Sequence, residues 1–163
     1  MTRSERHLAI CLRVIGAASL LAVVAVFMPR AWMAWCHEML GLGPFPDAPV
    51  TEYLARSASL FYALSGGVYV FVSLDVRRYA RVVTVLAVAT IVCGVVLLSI
   101  DMRAGMPWWW TVGEGPFVVA VGIAILLLQV RARSETEAAD RAGERPGADA
   151  RTDAVDTGSA SGP

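Results

Sequence analysis

Apolar positions in this chain are gathered into four long runs, at about residues 8 to 28, 57 to 74, 80 to 100 and 115 to 130, and polar residues into the stretches between them. Each run approaches the ~20 residues that a helix rising ~1.5 Å per residue needs to cross a ~30 Å hydrocarbon core. A backbone in lipid must satisfy its hydrogen bonds internally, so the runs predict transmembrane helices. The expected fold is an all-α membrane protein: an up-down-up-down four-helix transmembrane bundle over residues 1 to 133, followed by a mostly disordered cytoplasmic tail at 134 to 163.

The connections predict further elements. In the first, Trp32, Trp35, Cys36, Met39 and Leu40 recur at helical spacing, with Arg30, Ala34, His37 and Glu38 on the other face. This pattern predicts an amphipathic helix lying in the outer interface and ended by Gly41. The Pro-rich segment from Gly43 to Pro49 reads as a stiff linker, after which Thr51 is the expected N-cap of the next helix, with Glu52 in its first turn. The turn from Asp75 to Arg78 is short enough to make the second and third spans antiparallel neighbours, Asp75 capping the third. Ser59, Ala63 and Gly67 form a small-xxx-small stripe, and Gly94 and Gly122 offer similar points of close approach. Good helix formers after Leu128 carry the last helix through Ala142. The first run is expected to be a retained helix, because the stretch from Val14 to Met28 is long for a signal core and no small-x-small cleavage site follows it. Arg13 within it snorkels toward the interface.

Charge orients the spans. All fourteen basic residues are Arg, which reflects composition bias. Eleven of them fall on the side of the two termini and the turn around Arg77, Arg78 and Arg81, against Arg30, Arg56 and Arg103 on the other side. This asymmetry predicts a multi-pass inner-membrane protein with both termini in the cytoplasm. All five Trp lie in the two non-cytoplasmic connections, at the level where an indole is partly wet. An apolar content of 56% and a mean hydropathy of +0.58 agree with a lipid-facing surface. The three Cys form no short motif, so packing is their expected role.

Candidate chemistry gathers at the outer rim. Asp101 ends the third span, where the helix dipole disfavours an anion, so an ion pair with Arg56 or Arg103 is expected. Trp108, Trp109 and Trp110 lie between Asp101 and Glu114 and form either a cap over a pocket or an interfacial anchor, with Thr111 and Glu114 as a capping box for the fourth span. Tyr62, Ser65, Gly66, Tyr69 and Ser73 share one face of the second span. The candidate ligand-binding residues are therefore Arg56, Tyr62, Tyr69, Asp101, Arg103, Trp108, Trp109 and Glu114.

No catalytic, metal-binding or cofactor-binding residue is expected. Only His7 and His37 are available for haem, and neither lies in a span. Reactive Cys pairs, a zinc constellation, a phosphate-binding Gly loop and a nucleophile elbow are all missing from the sequence. Nucleic acid is not an expected partner, since no continuous basic patch exists outside the membrane flanks. The expected partners are the lipid bilayer and a second copy or another membrane protein.

Over residues 8 to 130 the four-span layout resembles small bacterial membrane families of unknown function, the DoxX-like and BphX-like proteins. No functional residue follows from that resemblance. The leading expectation is a non-enzymatic packing or partner-binding subunit. The alternatives are a binding protein or transporter for a small apolar or amphipathic molecule at the outer face, and a membrane enzyme using Asp101 and Glu114 as acid and base.

Overall fold

In the computed structural model residues 2 to 144 are described, and most of the tail expected to be disordered lies outside them. The described residues are all-helical: α1 (Arg3–Leu20), α2 (Val23–Phe27), α3 (Arg30–Met39), α4 (Pro49–Ser73), α5 (Ala80–Ala104), α6 (Trp108–Gly113) and α7 (Gly115–Glu144). Three stretches are long and apolar enough to cross a membrane: Arg3–Phe27, Ala80–Ala104 and Trp108–Ala142. At 25 residues α4 matches α5 in length, but its Ser, Gly and Tyr residues dilute its hydropathy.

Local chemistry sets the helix ends. A capping box starts α1: the Thr2 hydroxyl accepts the Glu5 N–H at 3.3 Å, and the Glu5 carboxylate accepts the Thr2 N–H at 2.8 Å. The first apolar run, expected as one helix, is interrupted after Leu20, where the Ala22 N–H donates three residues back to Ser19 O at 3.1 Å. Gly41 (φ +70°) ends α3 as expected, in a turn where the Leu42 N–H reaches His37 O and its own N–H reaches Glu38 O. The cap expected at Thr51 is not used. Instead Pro49 opens α4, since a first-turn residue lacks an intrahelical acceptor and loses nothing without an N–H. Asp75 does not cap α5; its carboxylate accepts the Arg78 N–H at 3.0 Å and closes the turn before it. α7 runs past Leu128 through Ala142, as its helix formers predict.

Packing is pairwise. α1 lies against α4 and α7, and α5 lies against α7. Despite their short connection, α4 and α5 scarcely meet along their backbones and are bridged by side chains: Tyr69 Oη lies 2.5 Å from Thr90 Oγ1, and the Phe71 and Tyr79 rings are 5.0 Å apart. Glycines set the two tight seams. A Cβ on Gly16 would meet Gly66 O at 2.8 Å, and one on Gly94 would meet Gly115 O at 2.8 Å. Gly94 and Gly122 serve close approach as expected. In α4, however, the contact residue is Gly66, while Gly67 has nothing within 4 Å among the described residues. Leu8, Leu12, Val72, Val83 and Ile125 form the most deeply buried core, near the start of α1. Many large apolar side chains, Phe27, Phe61, Val85 and Phe117 among them, are exposed on the helix surfaces. Lipid solvates such a surface, so its exposure has no hydrophobic cost in a bilayer.

Candidate functional site

At the end of the molecule formed by α6, Asp101 sits in the last turn of α5 with its side chain buried at 6% exposure. Its backbone carbonyl accepts from Gly105 and Met106 as the chain turns at Gly105 (φ +68°). Its carboxylate oxygen Oδ2 has no hydrogen-bond partner among the described residues. A buried acceptor without a donor loses its hydration and gains nothing in return, and the negative end of the helix dipole adds to that cost. Tyr62 of α4 is half exposed. The Trp110 indole N–H donates to Glu114 Oε2 at 2.5 Å, and the rings of Trp109 and Trp110 meet edge to face at 5.7 Å.

The expected ion pair of Asp101 does not form. Arg56 instead donates to Glu52 at 2.6 and 3.0 Å, to Met28 O at 3.0 Å, and to Val26 O. The end of α2 leaves unsatisfied carbonyls in apolar surroundings, and the guanidinium fork fits them while keeping an anion beside it. Arg103 is exposed; two residues along a helix from Asp101, it cannot share its face. Trp108 is 78% exposed and stands outside the cluster. Tyr69 is buried deeper along α4 with its hydroxyl on Thr90. The capping box expected from Thr111 and Glu114 is also not present, because Thr111 lies within α6 and its hydroxyl returns to Pro107 O at 3.3 Å. Of the eight candidates, the structure joins Glu114 and Trp109 through Trp110, which is not one of the eight, while Asp101 is buried with an oxygen unpartnered among the described residues. The i, i+4 spacing of Trp110 and Glu114 was the available signal.

No family model, curated protein or solved structure matches the chain.

The opposite end holds a polar knot whose members are far apart in sequence. Glu5, buried at 2% exposure, receives Arg77 Nε, the Thr136 hydroxyl at 3.2 Å and the Thr2 N–H. The Glu135 carboxylate accepts both the N–H and the hydroxyl of Ser4. Glu5 precedes the apolar part of α1, which starts at Leu8. Burial opposes its charge, but the hydrogen bonds from Arg77, Thr2 and Thr136 outweigh burial and hold the carboxyl below its ordinary value of 4.5. The knot ties the start of α1, the α4–α5 turn and the far part of α7 together. Its local signal was Thr2-x-x-Glu5, an N-cap pattern; its long-range partners had none.

Proposed function

We propose that this is a four-span inner-membrane protein, both termini cytoplasmic, that binds a small amphipathic molecule at the α6 end. In this reading α4 is the second span and α3 lies in the outer interface with Trp32 and Trp35 exposed. The length of α4 and the Arg asymmetry support the topology. Reporter fusions after Arg78 and after Pro107 should give opposite sidedness; equal signals would exclude four spans.

The observation that carries the binding reading is the buried Asp101 with an unpartnered oxygen. A ligand bringing an amine or hydroxyl would supply the missing donor, and the paired Trp109 and Trp110 rings toward the same end of the molecule suit a cationic or apolar body. In purified protein, a panel of alkylamines and amphipathic alcohols should change Trp fluorescence, and Asp101→Asn should abolish the response. Asp101→Leu should also raise stability by about 1–3 kcal/mol in thermal melts, by removing a buried unpaired acceptor. Arg56→Ala should leave the ligand response intact, since Arg56 is engaged at α2. A panel without any fluorescence change would sink this reading.

A second reading, a subunit that packs with another copy or another membrane protein, is favoured by the open Gly67. It lies among the exposed Leu64, Val68 and Phe71 of α4, where a helix could approach closely. A monomer without companions in lipid nanodiscs, measured by mass, would count against it.

A further inference from the structure

A cavity of about 240 Å³ opens where α1 begins, α4 turns into α5, and the apolar part of α7 gives way to arginine. Leu8, Val76 and Ala132 form apolar walls, and Arg77 and Arg133, with the carboxylates of Glu5 and Glu137, bring charge to it. Its volume falls below the ~300–1,000 Å³ of sites that enclose whole drug-sized ligands. The space suits a head group and not a whole lipid.

Three sets of unused hydrogen-bonding capacity border it. Gln129 lines the cavity at 2% exposure; its Nε2 donates to Ala80 O at 3.0 Å, but its Oε1 has no partner among the described residues. Arg133 uses a single terminal nitrogen, on Ala80 O at 3.2 Å and Thr84 Oγ1 at 3.0 Å, leaving Nε and its other amino group without acceptors among the described residues. Arg77 is oriented through Nε by Glu5, and neither of its terminal amino groups has an acceptor among the described residues. The cavity thus has guanidinium donors for an anion, with Glu5 already engaging Arg77 through Nε, and in its wall one buried acceptor, Gln129 Oε1, without a donor among the described residues. Guanidinium forks match phosphate oxygens. Val82 of α5 and Leu127 and Val130 of α7, each within about a turn of a lining residue, are exposed and give acyl chains an apolar surface to follow.

We propose that this cavity binds a phosphate head group bearing a hydroxyl or amine, with the phosphate on Arg77 and Arg133 and the O–H or N–H donated to Gln129 Oε1. The inference does not rest on the Asp101 reading, which concerns the other end of the helices. The test titrates the full-length protein in maltoside micelles with dihexanoyl phosphatidylethanolamine, dihexanoyl phosphatidylcholine and free O-phosphoethanolamine, read by native mass spectrometry. The ethanolamine lipid should bind about tenfold more tightly than the choline lipid, whose quaternary ammonium has no N–H, a difference in the range of one buried hydrogen bond. The near-isosteric Gln129→Met should erase that preference, and Arg133→Gln, at the exposed rim, should weaken both lipids several-fold. Free O-phosphoethanolamine binding as tightly as the lipid would support the site with a soluble phosphate ester as occupant; binding of the lipid alone would support it with a membrane lipid. Equal binding of the two lipids by the unaltered protein, no binding of either ethanolamine compound, or a preference that survives Gln129→Met would each overturn the proposal.

Discussion

Gly66→Leu is expected to give no folded protein, and Gly66→Ala to cost about 3 kcal/mol, whereas Gly67→Leu one position along should change stability by no more than ~0.5 kcal/mol. A Cβ on Gly66 would lie 2.6 Å from Gly16 O and 2.7 Å from Leu20 N. Both are backbone atoms of the facing helix, which cannot rotate away as a side chain can, so the whole α1–α4 seam would have to open. Gly67 faces open space, and a Leu there adds only another lipid-facing side chain. The cost for Gly66→Ala sits at the upper end of ordinary overpacking because the wall is main chain. Thermal unfolding followed by circular dichroism in detergent separates the two positions. A Gly66→Leu protein that melts like the parent would show that α1 and α4 do not meet here.

Glu5→Ala should destabilise the protein by about 2–3 kcal/mol, less than the ~3–5 kcal/mol lost when one partner of a fully buried pair is removed. The discount follows from Arg77, whose side chain stays 56% exposed and regains water when its partner is lost. Loss of the hydrogen bonds that the carboxylate accepts from the Thr2 N–H and the Thr136 hydroxyl adds to the effect. The same carboxylate gives a pH signature. Its folded pKa lies below 4.5, so its contribution is fully present above the unfolded value and is lost as pH falls through the folded one. The protein with Glu5 should therefore lose stability as pH drops below about 4.5, and Glu5→Gln should lack that component. Matching pH profiles for the two proteins would remove the charge of Glu5 from the account.

Elements that depend on local spacing were legible before the structure. The helix at Arg30–Met39, its end at Gly41, the continuation of α7 beyond Leu128 and the close approach at Gly94 and Gly122 all follow from residues within a turn or two of one another. Errors arose where a choice depended on a neighbouring element. Gly66 and Gly67 are equivalent as sequence, and only the position of α1 makes one a contact and leaves the other open. Sequence position makes Arg56 and Arg103 the expected partners of Asp101, yet the broken end of α2 offers Arg56 carbonyls and Glu52 is four residues away. In sequence Gln129 is only a polar residue at the end of an apolar run; its significance comes from Ala80, 49 residues distant.

Hydropathy by itself determined that the chain is helical and apolar enough to span a membrane, because the backbone in lipid leaves few alternatives and side-chain polarity is local information. Which faces of those helices meet was decided only in three dimensions. In lipid, apolar side chains gain nothing from burying one another over facing the solvent, so helix pairing rests on steric fit and hydrogen bonds between distant residues. For that reason the seams at Gly16 and Gly66, the knot around Glu5 and the unpartnered oxygens of Asp101 and Gln129 belong to the tertiary structure alone.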